Sequence, residues 1–452
     1  MKTVKELKIK STRLPRSAII AVGFALLVLL GALVLMLPFA TKDGESTSFI
    51  GALFTSTSAT CVTGLVTYDT ATHWTLFGQL VIITLIQIGG LGFITFGVYG
   101  IMLFRKRVGL ENRELIHDSL NSLNLGVGLD LVKSVVKGTA IVELTGAALL
   151  SIRFIPEYGV LRGIYYSLFH SVSAFCNAGF DLFGVKEKFT SLLPYYDDPL
   201  VMLTLSALII IGSIGFAVWG DIHRHGFNFK KYHLHTKVVL LATFVLLFGG
   251  TLFFLFSERS GVLSDMSAGN KLLSAFFCAV TPRTAGFNSV DIASLSTAGK
   301  VMTAFLMFIG GSPGSTAGGV KTTTVLVIFL FILSYARRQR ECRIFKRSLS
   351  NELVKKSSTV TFVNMSLILV AITVITLSQT LALDDVLLET VSAMSTVGMS
   401  TGITRELTVI SKIMIMILMY CGRVGSLSFA LSFSEKRKIA NVRYPEEDIL
   451  IG

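Results

Sequence analysis

Four short windows of the chain align without gaps: ALFTSTSATCVTGL (52–65), SLFHSVSAFCNAGF (167–180), SAFFCAVTPRTAGF (274–287) and VLLETVSAMSTVGM (386–399). Each is a moderately apolar stretch of about 10 residues, too short to cross a bilayer, that runs into small or hydroxylated residues and a glycine. The shared glycines are Gly64, Gly179, Gly286 and Gly398, separated by 115, 107 and 112 residues in a chain of 452. Self-similarity at a fixed period marks a repeated structural unit. One unit is written four times.

The flanks repeat as well. Each window lies between two long apolar runs, the first near 18–40, 131–155, 236–257 and 358–380, the second near 75–104, 200–222, 299–335 and 409–433. The second runs share a glycine signature: IGGLGF from Ile88, IGSIGF from Ile211, IGGSPG from Ile309 and CGRVGS from Cys421. Its first glycine follows the window's glycine by 24 to 33 residues. With 52% hydrophobic and 15% charged residues, against roughly a quarter charged in soluble chains, the expectation is an all-α polytopic membrane protein with at least eight candidate spans. The units divide as repeat 1 (1–125), repeat 2 (126–232), repeat 3 (233–350) and repeat 4 with a C-terminal tail (351–452).

The net charge of +13 comes from 41 Lys and Arg against 28 Asp and Glu. Its distribution argues against nucleic acid. Basic blocks (2–16, 105–113, 224–237, 337–356 and 436–443) sit beside the apolar runs and alternate with loops poor in Lys and Arg, such as 41–49 and 381–389. The positive-inside rule then places both termini and the basic loops in the cytoplasm, with anionic membrane lipids as a secondary partner. The run from Ala18 to Ala40 exceeds a signal-peptide core and reads as a span that stays. Five cysteines with no CxxC pair give neither a disulfide framework nor a zinc site.

A short helix followed by a glycine-bearing segment at membrane depth must hide its carbonyls from lipid, in protein or along an aqueous path. Four such segments around one axis make rings of carbonyl oxygens that can replace a cation's hydration shell. The negative C-terminal ends of the short helices favour cations. No carboxylate occurs in 60–65, 175–180, 282–287 or 395–399, which favours monovalent over divalent ions. Glycines that only let helices pack closely are the simpler alternative, but four copies at quarter-length spacing oppose it. A secondary cation symporter with a midplane site is the competing function; carriers usually show two repeats, often inverted. HExxH is absent and no nucleophile–base pair emerges, so neither an enzyme nor a covalent cofactor is expected.

These residues carry a resemblance. Nearly the whole chain resembles the membrane subunit of Ktr-type potassium transporters in the Trk/Ktr/HKT superfamily. It does so through SATCVTGL, FCNAGF, TPRTAGFN and STVGMSTG, GGSPGSTAGGVKTT from Gly310, Arg423 in CGRVG, and the terminal RYPEEDILIG. The resemblance implies four membrane–pore helix–membrane repeats in a pseudo-fourfold arrangement around one ion pore. It also implies a homodimer, a cytoplasmic ring of nucleotide-binding regulatory subunits, and potassium uptake, with sodium as an activator. The family's filter positions fall on Val62, Thr63 and Gly64; Asn177, Ala178 and Gly179; Thr284, Ala285 and Gly286; and Thr396, Val397 and Gly398. The setting implied is a bacterial cytoplasmic membrane.

Gly310, Gly311, Ser312, Pro313, Gly314, Ser315, Thr316, Ala317, Gly318 and Gly319 interrupt the apolar run from Val301 to Leu333. Proline and this glycine density disfavour helix, so a membrane-embedded loop is expected there, and the resemblance makes it the gate. Arg423, a charge inside an apolar run, is a functional candidate by default; it is expected to donate to carbonyls or hydroxyls of that loop. Arg283 is expected to bond last-turn carbonyls of the third short helix. Lys321 marks the end of a span, Glu143 is a weaker candidate, and His223, His225, His233 and His235 form a solvated face. The stretch Tyr444–Gly452 is expected at the dimer interface.

Overall fold

The computed structural model describes residues 16–92, 128–339, 341–425 and Glu447. The N-terminal basic block up to residue 15, the 105–113 block, the far ends of the runs at 75–104 and 409–433, and the C-terminal stretch apart from Glu447 lie outside the described residues.

Four helices are long and apolar enough to cross a membrane: α1 (Arg16–Leu35), α5 (Gly128–Tyr158), α9 (Leu234–Ser257) and α13 (Asn351–Ser378). They coincide with the four first runs. Each is followed by a shorter helix: α2 (Phe49–Thr60), α6 (Val160–Phe175), α10 (Ala268–Val280) and α14 (Leu383–Ser395). Every long helix packs against the short helix after it. The short helices stop at the small, hydroxylated residues that the four windows share.

A third set of helices follows: α4 (Leu76–Leu91), α7 (Pro199–Ser213), α11 (Thr297–Phe308) and α15 (Val409–Val424). All four open on a side-chain cap, in which Thr75, Asp198, Ser296 and Thr408 accept from backbone N–H groups of the first turn. Such a cap stabilises a helix start by about 1 kcal/mol. The other α-helices and strands described are α3 (Thr70–His73), α8 (Phe216–His225), α12 (Thr322–Ala336) and the antiparallel pair β1 (Arg343–Ile344) and β2 (Arg347–Ser348).

The second run of repeat 3 carries its expected break, and that of repeat 2 departs from the expected unbroken span. α7 and α8 meet at 97°, and α11 and α12 are separated by the glycine-rich loop. The physical reason is the glycine signature itself. Gly92, Gly215 and Gly425 hold the same place in three of its copies and have φ of +84°, +96° and +95°. That left-handed backbone suits glycine and stops the helix.

The described interior forms two large apolar clusters, one around Trp74, Phe154 and Phe175, the other around Phe54, Phe254 and Met419, and a small third of Ile214, Val218 and Val239. Outward faces of the long helices are apolar too: Leu30, Leu144, Phe244 and Phe362 are each 60% or more exposed. A fold with greasy residues on both its inside and its outside is built for lipid.

Candidate functional site

The four glycine segments share one backbone shape. Val62, Asn177, Thr284 and Thr396 all have positive φ, between 52° and 70°, and so do Gly64, Gly179, Gly286 and Gly398 two residues on. Thr63, Ala178, Ala285 and Val397, between them, do not. This alternation lets successive N–H groups face one side. The N–H groups turn back onto the segment's own short helix. Thr63 N donates to Ser58 O at 2.8 Å, Ala178 N to Ser173 O at 2.8 Å, Ala285 N to Thr281 O at 2.9 Å and Val397 N to Ser392 O at 2.8 Å. Hydroxyls finish the tie. Ser58 and Ser392 accept from Gly64 N and Gly398 N, both at 3.0 Å, while Ser173 and Thr281 donate to the carbonyls of Phe180 and Phe287.

The segments also meet one another. A β-carbon on Gly64 would stand 2.5 Å from the Ala178 carbonyl oxygen, one on Gly179 2.8 Å from that of Ala285, one on Gly286 2.3 Å from that of Val397, and one on Gly398 2.1 Å from that of Thr63. The contacts run first to second, second to third, third to fourth and fourth to first. Eight of the twelve residues expected at the filter, two from each segment, therefore make one closed cycle of contacts. The side chains join it once, where the Asn177 amide donates to the Arg283 carbonyl and to the Thr284 hydroxyl at 3.4 Å each.

The glycine signature has a role that its apolar setting hid. A β-carbon on Gly89, Gly212 or Gly422 would stand 1.9, 2.1 or 2.1 Å from the carbonyl of Thr60, Phe175 or Met394. Those carbonyls lie at the ends of three short helices. The signature lets each following helix pass directly beneath a glycine segment. The recurrence of the signature 24 to 33 residues after each window's glycine was the signal available in the sequence.

Gly310–Gly319 is a loop, as expected. Ile309 and Val320 pair across its neck, with Gly310 N donating to Val320 O at 2.9 Å. The loop leans on the glycine signatures of two other units: Ser312 N donates to Ser213 O at 2.9 Å, Phe216 N to Gly314 O at 2.8 Å, and Gly319 N to Gly422 O at 3.3 Å. The Thr316 hydroxyl donates to the Phe175 and Gly212 carbonyls at 3.1 and 3.0 Å. Gly318 lies against Thr396 and Gly319 against Ser395, so the loop touches the fourth glycine segment.

Arg423 reaches the loop, at the Thr316 carbonyl. Its other terminal nitrogen donates to the carbonyls of Gly89 and Gly90, a first-unit contact that the sequence did not suggest. The loop hydroxyls do not receive it. Ser312 bonds Thr322, Ser315 donates to the Ser312 carbonyl, and Thr316 faces the second unit. Lys321 folds back, its Nζ 2.6 Å from Ala317 O and 3.3 Å from Gly318 O. Arg283 departs from its expected role: its guanidinium donates to the Thr243 hydroxyl on α9 at 3.1 Å instead of to last-turn carbonyls. Glu143 accepts from Gln87 at 3.2 Å, behind the second short helix. His225 pairs with Asp221 at 2.9 Å. Among the described residues no group of three or more His, Cys, Asp or Glu is placed to hold a metal.

On the other side of the glycine segments lies a cavity open to water over about 160 Å³, reached by Gly64, Gly179, Gly286 and Gly398 and by Asp69, Asp181 and Arg405. Asp69 accepts from the N–H groups of Thr72 at 2.8 Å and Phe189 at 2.9 Å. Burial first, and the Asp69 charge second, push the Asp181 carboxyl up to about 7.

The chain matches the TrkH family, described as a cation transport protein, over residues 15–442. It is 42% identical over 447 residues to the potassium/sodium uptake protein NtpJ of Enterococcus hirae, covering 97% of this chain and 98% of that protein. It is 41% identical over 450 residues to the Ktr system potassium uptake protein B of Bacillus subtilis, covering 99% of each. The crystal structure of the potassium transporter TrkH from Vibrio parahaemolyticus has the same fold, with a TM-score of 0.70 at 17% identity over 94% of this chain and 86% of that one.

Proposed function

Because the chain belongs to the TrkH family of cation transport proteins, we propose that it carries potassium into a bacterial cell through a channel-like pore in the cytoplasmic membrane. Four membrane–pore helix–membrane repeats surround that pore in a pseudo-fourfold arrangement. Backbone carbonyls of Val62–Gly64, Asn177–Gly179, Thr284–Gly286 and Thr396–Gly398 replace the ion's water shell. The reading is carried by the closed cycle of contacts from Gly64 through Gly179 and Gly286 to Gly398 and back. With their N–H groups bonded backwards, these segments have carbonyls free for a cation. The short helices add the partial negative charge of their C-terminal ends.

Gly310–Gly319 is the gate, and Arg423 its latch. A guanidinium beside the path repels cations, and its hydrogen bonds hold the loop. The working assembly is a homodimer on a cytoplasmic ring of nucleotide-binding subunits that shifts the loop, with sodium as an activator and both termini on the cytoplasmic side. The test is flux in proteoliposomes made from the purified chain. Uptake of ⁸⁶Rb⁺ driven by a membrane potential alone, blocked by potassium and poorly by sodium, supports a pore. Uptake that follows only a sodium gradient makes the protein a symporter.

A further inference from the structure

Three consecutive carbonyl oxygens of the loop are held by cationic side chains: Thr316 by Arg423, and Ala317 and Gly318 by Lys321. Among the described residues neither cation has a carboxylate within 4.0 Å. Two positive charges are thus balanced by backbone dipoles. Carbonyl oxygens gathered around a positive charge in a membrane interior are what a monovalent-cation site consists of.

The lysine is an unusual occupant. As the residue just before α12, Lys321 could extend its stem towards water, as long basic side chains ordinarily do. It bends back by one turn instead. Its head is a compact point charge with three donors, and an alkylammonium closely matches a potassium ion in size and charge. Oxygens that hold one can hold the other.

A third oxygen is at hand. The Thr396 hydroxyl is fully buried and has no hydrogen-bond partner among the described residues. It lies so near Gly318 that a β-carbon there would stand 2.1 Å from it. Thr396 also begins the fourth glycine segment, so this oxygen links the loop to the proposed filter.

We propose that the Ala317 and Gly318 carbonyls, with the Thr396 hydroxyl, form a monovalent-cation site next to the filter, which Lys321 fills in this structure with its own ammonium. Docked lysine and bound ion exclude each other. The loop closes while the tethered cation is in place, and its release opens a resting point for the transported ion. The inference rests on the reading of Gly310–Gly319 as a gate and specifies how that gate is regulated.

Equilibrium binding of ⁸⁶Rb⁺ to the purified full-length chain tests it, with choline as the background cation. Lys321→Met removes the charge and keeps the stem, and it raises the saturating amount of bound ion by one per chain. Lys321→Arg keeps a cation in place and stays at the parent value. Lys321→Gln retains donors for the two carbonyls, so it serves if the methionine variant does not fold; it shows the same gain at higher ion concentration. If the parent binds ⁸⁶Rb⁺ but no neutral variant gains an ion, Lys321 is only a tether and the proposal fails. If the parent binds none while Lys321→Met binds one, the loop site stands and the filter reading is overturned.

Discussion

Gly398 and Gly64, at opposite ends of the described chain, lie against each other: a β-carbon on Gly398 would stand 2.9 Å from the Gly64 α-carbon and 2.1 Å from the Thr63 carbonyl oxygen. The contact brings the last glycine segment back to the first. Without it the segments would form an open row instead of a ring.

Substitution at the cycle should therefore scale with closeness. Gly398→Ala and Gly286→Ala place a methyl 2.1 and 2.3 Å from a neighbouring carbonyl, against 2.8 Å for Gly179→Ala. All three also put a side chain at positive φ, which costs about 1–3 kcal/mol. Potassium-over-sodium preference, measured by ion competition, should fall roughly tenfold for about 1.4 kcal/mol of filter distortion, least in Gly179→Ala. The same argument applies to Gly64→Ser and Gly286→Ser. Equal preference in all variants and parent would remove the cycle from the ion path.

Releasing the latch should open the path. Arg423→Ala deletes hydrogen bonds to three carbonyls, each worth about 1.5–3 kcal/mol for a charged donor. Basal ⁸⁶Rb⁺ flux in proteoliposomes lacking any partner should rise at least tenfold, with selectivity preserved. Deleting Ser312–Thr316 should do the same. Arg423→Lys keeps the charge but not the fork, so an intermediate rise is expected. Folded variants that conduct no better than the parent would place the gate elsewhere.

The signature glycines make a sharper stability test. Gly89→Ala, Gly212→Ala and Gly422→Ala each drive a methyl to within about 2 Å of a short-helix carbonyl, and the purified variants should unfold well below the parent temperature or fail to accumulate. Gly220→Ala, in α8, meets nothing within 4 Å and should stabilise by about 0.5–1 kcal/mol. Thermal unfolding in detergent distinguishes the two groups.

Acidity should act at the mouth cavity. In the folded protein the Asp181 carboxyl titrates at about 7 instead of 3.8, so the folded state keeps its proton longer than the unfolded chain does. The group does not oppose folding below about pH 4, and its cost accumulates as pH rises from about 4 to about 7. Asp181→Asn should flatten that slope in a plot of Tm against pH. It should also lower uptake at limiting potassium above pH 7, where the parent carboxylate attracts cations. An unchanged slope would separate Asp181 from the pH response.

How much of this was legible in the sequence depended on which groups were involved. Side-chain patterning located the short helices, the glycine segments and the 310–319 loop, because hydropathy and glycine spacing report directly on span length and helix breaking. The breaks at Gly92, Gly215 and Gly425 stayed hidden, since an apolar run reads the same whether its glycine sits in a helix or at positive φ. Arg423 was visible as a donor, but its acceptors are backbone carbonyls, which every residue carries. Of the two kinds of loop acceptor expected, a carbonyl, that of Thr316, receives it, while the loop hydroxyls are engaged with one another and with the second unit. Arg283 found Thr243 for a similar reason: a lone hydroxyl on a long helix has no sequence signature.

The elbow between α7 and α8 couples the loop to a lever. Gly212 and Ser213, just before the bend, accept from Thr316 and Ser312, and Phe216, just after it, donates to Gly314. Both arms of the elbow thus grip the same five-residue stretch. A rotation of α8 would therefore reach Gly314 through a single hydrogen bond, whereas the glycine cycle is tied to its own short helices.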